Sequence, residues 1–285
     1  MENRQFSAGS RAKSDCSVTY VPDGSPISVS VRSSVNALFG KAITATVLQV
    51  AAEFGVGTGR FEIEDDGALD STVAARAEAA LRMAGLARGA STDARAVSRA
   101  ASRRDRARRA RLYLPGDQPH LAINAGLFGA DCLVFDLEDS VVEGHKFESR
   151  ILVRRTLEEG LMLGDCEIVV RINPLSGPYG HDDLSEIVKA RPHGIVLPKS
   201  ESAADIEAAD REMATLEKAA GIPEGSVFLM PLIESARGVL AAREIAAASP
   251  RNVALCFGRE DFSRDIRATP VAAGVAAGVD ALTNY

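Results

Sequence analysis

From residue 109 onward, six short apolar runs recur with helix-like segments between them: "RLYLP", "CLVFD", "EIVVR", "GIVLP", "VFLMPLI" and "VALCF". No other feature constrains the fold as much. Each run is apolar on both faces, so each strand needs cover above and below. The intervening helical segments supply it, which is the pattern of a parallel sheet in an α/β fold. Two architectures satisfy it, a doubly wound open sheet and a closed barrel. A (β/α)8 barrel of about 250 residues gives each β–α unit roughly 31, so the stretch from 111 to 285 has room for between five and six units. The six runs fill that room and are followed by a helix-like "VAAGVAAGVDALTNY" with no stop signal. Either the sheet is open or the sequence holds part of a barrel.

The region ahead of the runs reads differently. "ISVSVRS" alternates as a half-buried strand, and "SSVNALFGKAITATVLQVAAEFG" carries apolar residues at helical spacing and stops at Gly55. A strand "GRFEIEDDG" and a helix "STVAARAEAALRMAG" follow, making a small β-α-β-α unit. The next stretch is rich in Ala, Ser and Arg without an apolar face. Its basic part, "RRDRARRARL" at 103 to 112, reads as a solvated interdomain helix rather than an RNA or phosphate binder, because no aromatics interleave the arginines. The expected division is a front domain over 1–87, a basic linker over 88–108 and the sheet domain over 109–285. At 285 residues and 46% hydrophobic content the chain can bury two cores. A net charge of -6 argues against a nucleic-acid partner. No run approaches a membrane span, and the N-terminus lacks the apolar core of a signal peptide, so the expected location is the cytoplasm. Cys16, Cys132, Cys166 and Cys256 form no CxxC pair, and neither disulfides nor a zinc site is expected.

Chemistry gathers where the apolar runs end. Asp136, Glu138 and Asp139 follow the second run, Arg171 and Asn173 the third, Lys199 the fourth, Glu234 the fifth, and Glu260 and Asp261 the sixth, while Arg109 precedes the first. In parallel α/β folds the C-terminal ends of the strands share one rim, so these groups are expected to converge as an active site. Glu234 and Asp261 end successive strands and are within reach of one ion. Two carboxylates, with water and substrate completing the shell, suit Mg²⁺. The alternative for each acid is that it caps the helix that follows. Arg109 and Arg171 offer forked donors for a substrate carboxylate, or ion pairs with Asp136, Glu138 or Asp139. Lys199 reads as a charge-balancing group rather than a Schiff-base nucleophile.

The same residues fall in motifs that resemble a known family. "RARLYLPG", "CLVFDLEDSV", "RINPL", "IVLPKSESAADI", "PLIESARGV" and "CFGREDF" together resemble the citrate lyase β subunit, of the HpcH/HpaI aldolase and citrate lyase superfamily. The resemblance implies a (β/α)8 TIM-type barrel of which about six of eight strands are present. It implies Glu234 and Asp261 as Mg²⁺ ligands, Arg109 and Arg171 on the substrate, and Glu138, Asp139 and Lys199 lining the pocket as further catalytic groups. The implied reaction is cleavage of a citryl thioester to oxaloacetate and an acetyl thioester. "SVRSSVNALFG" and "DDGALDSTVAARAEAAL" resemble the γ subunit, the acyl carrier protein of the same complex. In that family a serine near the N-terminus carries a phosphoribosyl dephospho-CoA arm. Here Lys13 stands where the first serine of the usual pair would be, and Ser14 is the nearest candidate. The implied partners are the acyltransferase α subunit and further copies of the chain. Competing expectations are a malyl-CoA-type lyase and a non-catalytic carrier or assembly protein.

Overall fold

The computed structural model describes residues 4–87, 100–160 and 163–268. The chain divides into two compact units, each made of non-contiguous segments. One comprises 1–98, 114–128 and 139–164, and the other 99–113, 129–138 and 165–285.

The first unit opens with β1 (Phe6–Gly9), β2 (Cys16–Pro26), β3 (Ser28–Ser33), α1 (Asn36–Glu53), β4 (Thr58–Asp65) and α2 (Asp70–Met83). The sheet order is β1-β2-β4-β3, with β3 parallel to β4 and the other pairs antiparallel. The β-α-β-α unit read from the sequence is present as β3-α1-β4-α2. Alternation turns Cys16, Val18 and Tyr20 of β2 and Phe61 and Ile63 of β4 inward, onto Ile43, Val47 and Val50 of α1 and Val73, Ala77 and Leu81 of α2. Gly55 ends α1 by taking a left-handed φ of 66°, which a residue with a Cβ adopts only at a cost. β1 and β2 were not anticipated. The alternating "CSVTYV" of β2 runs into "PDGSP", a turn composition, and the register shifts between Val21 and Pro26.

Further along come β5 (Arg111–Pro115), α3 (Pro119–Ala122), β6 (Cys132–Asp136), α4 (Lys146–Glu159), β7 (Glu167–Arg171), α5 (Gly180–Val188), β8 (Gly194–Leu197), α6 (Ala203–Ala219), β9 (Phe228–Ile233), α7 (Ala236–Leu240), α8 (Ala242–Ala247), β10 (Cys256–Phe257) and α9 (Arg259–Asp265). The second unit is built on a six-stranded sheet in strict chain order, β5-β6-β7-β8-β9-β10, with parallel pairing from β6 through β10. A doubly wound sheet reverses its order part-way, and this one does not. The sheet is curled: Arg111 Nη1 on β5 donates to Cys256 Sγ on β10 at 2.7 Å, so the two outermost strands meet through their side chains. Cys132, Val134, Val169, Val196, Met230, Leu232 and Cys256 form one apolar cluster of this sheet.

The basic segment departs from expectation. Its first part lies outside the described residues, as does the helix-like C-terminal stretch, but residues 100–108 form no helix. Instead Arg108 holds the fully buried Glu167 of β7 through two hydrogen bonds of 2.6 and 2.7 Å. Arg104 donates to the carbonyls of Pro250 and, at 2.8 Å, Asn252, and Arg106 to that of Asp165 at 2.6 Å. A solvated helix was expected because the stretch has no apolar face. The guanidinium groups are spent instead on carbonyls and a carboxylate near the N-terminal ends of the strands. All four cysteines are free and buried, and burial pushes the Cys132 thiol up to about 12, so it stays protonated. No helix among the described residues is long and apolar enough to cross a membrane.

Candidate active site

At the C-terminal ends of the strands of the second unit, six charged groups come together. Asp136, the last residue of β6, accepts Arg171 Nε and Nη2 at 2.7 Å each, a two-pronged pair across neighbouring strand ends. The third nitrogen, Nη1, lies 3.0 Å from Glu138 Oε2. Tyr113 of β5 lies under the Arg171 guanidinium, 5.5 Å from its ring centroid. The guanidinium plane is therefore fixed on three sides. Asn173 is held in turn by Asp183 of α5, which accepts both its backbone N–H at 3.0 Å and its side-chain amide at 2.6 Å.

The other half of the rim is acidic. Lys199 has a left-handed backbone, φ 50°, and turns both its N–H (2.7 Å) and its Nζ (3.8 Å) toward Glu234 Oε1. Its ammonium also lies 3.3 Å from Asp261 Oδ2 and 3.9 Å from Glu138 Oε1. A cation thus already occupies the space where three carboxylates converge. Burial lowers the affinity of the Lys199 amine for its proton, but Glu234, Glu138 and Asp261 outweigh it and hold the pKa above the ordinary lysine value. Glu234 moves the other way for a carboxylate: burial pushes it above its ordinary range despite the Lys199 N–H and ammonium, and Asp261 adds to the shift. A divalent cation beside Glu234 would offset the cost of its buried charge.

The donor set fits Mg²⁺. Glu234 follows β9, Asp261 opens α9 after β10, and β9 pairs with β10. Gly258 leaves room beside them, since a Cβ there would lie 2.8 Å from Glu234 Cβ and 2.9 Å from its Oε2. Among the described residues no three His, Cys, Asp or Glu side chains form a closed metal cage.

Two residues expected at this rim are placed elsewhere. Arg109 lies two residues ahead of β5, at the opposite end of the strand from the rim, and its side chain is 81% exposed. Its guanidinium and backbone N–H bind Asp131, at 2.9 to 3.2 Å, and the Arg109 hydrogen bonds help hold that carboxyl down to about 2. Arg109 is therefore corrected from a substrate ligand to a loop clasp. Asp139, next after Glu138, is exposed and belongs to the first unit. Tyr113 and Gly258 were missed as parts of the site, although Tyr113 occupies the middle of an expected strand and Gly258 closes one. Ser14 lies in the turn between β1 and β2 with a left-handed φ of 60°, and its N–H donates to Asp66 O at 2.9 Å.

Residues 109–277 match the family model described as HpcH/HpaI aldolase/citrate lyase. The chain belongs to this family. Residues 3–84 match a second model, described as malonate decarboxylase delta subunit, an acyl carrier protein model. Among curated relatives, the citrate lyase subunit beta of Leuconostoc mesenteroides subsp. cremoris is 40% identical over 163 residues, 57% of this chain and 54% of the relative. A (3S)-malyl-CoA thioesterase of Cereibacter sphaeroides is 34% identical over 155 residues, 54% of this chain and 50% of that protein. A solved structure, the citrate lyase beta subunit of M. tuberculosis complexed with oxaloacetate and magnesium, has 30% identity and a TM-score of 0.47, covering 63% of this chain and 70% of that one. The chain spans about half the length of the curated relatives it matches. Within the HpcH/HpaI family assignment, the matched region contains every member of the rim cluster.

Proposed function

We propose that the chain is a Mg²⁺-dependent carbon–carbon lyase that cleaves a citryl thioester, citryl-CoA or citryl on a carrier, to oxaloacetate and an acetyl thioester. The observation that carries this reading is the rim itself: Glu234 and Asp261 on neighbouring strands, facing a guanidinium fixed by Asp136 and Glu138. The six strands are read as part of a (β/α)8 barrel, in line with their unreversed order.

Cleavage takes the proton from the tertiary hydroxyl, breaks the bond between the carbinol carbon and the carbon next to the thioester, and returns a proton to that carbon. Mg²⁺ held by Glu234 and Asp261 would supply polarisation of the substrate oxygens. The Arg171 guanidinium, oriented by Asp136, would take a carboxylate of the oxaloacetate half. Glu138, buried and ion-paired with the same guanidinium, is the carboxylate proposed to hold the travelling proton. Lys199 keeps the three acids gathered.

The front domain is proposed as a fused acyl carrier with a phosphoribosyl dephospho-CoA arm on Ser14, supported by the carrier family match over residues 3–84. The left-handed turn at Ser14 donates its N–H to Asp66, which lines a shallow depression of about 310 Å³ together with Arg11, Arg32, Ser33, Ser34, Glu64 and Asp65. An acyltransferase α subunit, further copies of the chain and a cytoplasmic location complete the reading. The malyl-CoA reading is kept as a second, because malyl-CoA thioesterases match the same family region. The test is oxaloacetate release from citryl-CoA, coupled to NADH oxidation, with and without Mg²⁺, beside malyl-CoA and with Asp261→Ala as control. Metal-dependent release from citryl-CoA, lost in the variant, supports the lyase. A higher kcat/KM for malyl-CoA selects the second reading, and inactivity of the folded chain on both thioesters leaves the carrier or assembly role.

A further inference from the structure

Helix α2 is buried from Ser71 through Leu81, on every side rather than along one stripe. A surface helix of a free-standing small domain keeps a hydrated face. One side of α2, with Val73, Ala77 and Leu81, closes the core of the front sheet. The other packs Ala75 and Ala79, one turn apart, against Ile151 and Leu152 of α4, with Ala8 of β1 in the same cluster. Alanines at that spacing let the two helix axes approach closely.

Charges lock the same face. Glu78, with no exposed surface, receives Arg154 Nη2 at 2.5 Å and Arg155 Nε at 2.7 Å from α4, and Arg82 at 2.5 Å from its own helix. Arg155 reaches Glu53 at the end of α1 at 2.8 Å, and the Ser71 N–H donates to Glu159 at 3.2 Å. Toward the other end of α4, Glu148 accepts the Gly9 N–H at 2.8 Å and lies 3.4 Å from Arg76 Nη1. Arg76 in turn grips Asp15, the residue after Ser14, through two bonds of 3.0 and 3.1 Å. Gly9 is obligatory there, since a Cβ would lie 2.1 Å from Cys16 O and 2.7 Å from Arg76 Cδ.

We propose that α4 is a permanent docking platform for the front domain, so that residues 4–87 stay seated on it throughout turnover instead of travelling as a detached carrier. The Glu148–Arg76–Asp15 chain then holds the Ser14 turn against α4, and any group carried on Ser14 moves alone. Detachment would strip Ala75, Ala79, Ile151 and Leu152 of their cover and break the ion pairs that α2 and α4 share. The inference does not rest on the carrier reading and holds whether or not Ser14 is modified.

The experiment places a protease site within residues 88–99 of the full chain, cuts it and runs gel filtration at about micromolar concentration. The expected result is one species containing both fragments, and two species from the same cut chain carrying Ala75→Arg. Separate elution of the cut wild-type fragments overturns the proposal. Hydrogen exchange on the uncut chain provides a second reading that needs no cleavage. The amides of 71–81 and 149–157 are expected to open together, and opening of one helix roughly tenfold or more faster than the other overturns the proposal as well.

Discussion

Two buried glutamates in this chain are driven in opposite directions. Glu78, on α2, is pushed up by burial but overpowered by Arg154, Arg155 and Arg82, which hold it down to about 2. Glu234, at the rim, is pushed up by burial and by Asp261, and the Lys199 N–H and ammonium, with Arg171, do not offset it. The difference is one of balance. Around Glu78, three arginines meet Glu53, Glu78 and Glu158 at 2.5 to 2.8 Å, and each cation is matched by an acid. At the rim, the four acids Asp136, Glu138, Glu234 and Asp261 face the three cations Arg171, Lys199 and Arg264, and although Arg264 meets Asp261 at 2.7 Å, the Lys199 contacts are loose, at 3.3 to 3.9 Å. A neutral, tight network holds structure together. An acidic surplus with slack contacts is a place for a ligand of opposite charge.

The strongest way to break that comparison is to remove the surplus. Glu234→Gln or Asp261→Asn is expected to lower metal-dependent cleavage by roughly a thousandfold, the scale on which a major electrostatic contribution to the transition state is lost. Mg²⁺ titration by calorimetry should show weakened binding, while the thermal midpoint stays the same or rises as acid repulsion is relieved. A large fall in midpoint with Mg²⁺ binding intact would make these acids structural, like Glu78.

Glu78→Gln is expected to behave in reverse, costing on the order of 3 kcal/mol of stability because buried arginines lose their partner. The sign of the pH dependence follows from the depressed pKa. The folded value of about 2 lies below the ordinary 4.5, so the stabilisation is complete above about pH 4.5 and is lost as pH falls through that window toward 2. Denaturation of the wild type between pH 6 and 2 should show this loss, about 3 kcal/mol by linkage, and the Gln variant should show a flatter curve. Equal slopes for the two would remove Glu78 from the stabilising set.

Much of this was legible in the amino acids, and the misses have physical causes. The strand runs are apolar on both faces, a signal that survives any context, and all six are present as β5 to β10. Strand ends point to one rim by chirality and connectivity, which is why Glu138, Arg171, Lys199, Glu234 and Asp261 could be grouped from sequence. What periodicity cannot show is where a long side chain spends its hydrogen bonds. Residues 103–108 look like solvated charge until Glu167 and the free carbonyls that they serve are in view. The α2–α4 network is hidden for the same reason, since Glu78 and Arg154 are 76 positions apart. Charge in sequence suggests surface, and only the pairing shows that it is buried.

A smaller effect sharpens the geometry of the surplus. Gly258→Ala puts a Cβ about where Glu234 Cβ and Oε2 now need room, at 2.8 and 2.9 Å. The carboxylate must turn away, and the expected result is a roughly tenfold weaker Mg²⁺ affinity with most of the stability retained, a shift smaller than removal of the ligand itself. Mg²⁺ affinity unchanged in a folded Gly258→Ala chain would show that the metal does not use the Glu234 face turned toward Gly258.

The smallest effect is expected at Arg109, and it tests whether position on a strand or mere charge decides membership of the site. Arg109 and Arg171 are chemically alike and flank strands of the same sheet, but one precedes its strand and the other ends it. In a parallel sheet that places them at opposite ends, and the exposed Arg109–Asp131 pair is screened by solvent. Arg109→Ala should therefore leave kcat/KM within about threefold, whereas Arg171→Ala should raise KM and lower kcat together because it loses both the substrate carboxylate and the orientation of Glu138. A KM rise for Arg109→Ala as large as that for Arg171→Ala would mean that the guanidinium leaves Asp131 during turnover, and that the site extends beyond the strand C-terminal rim.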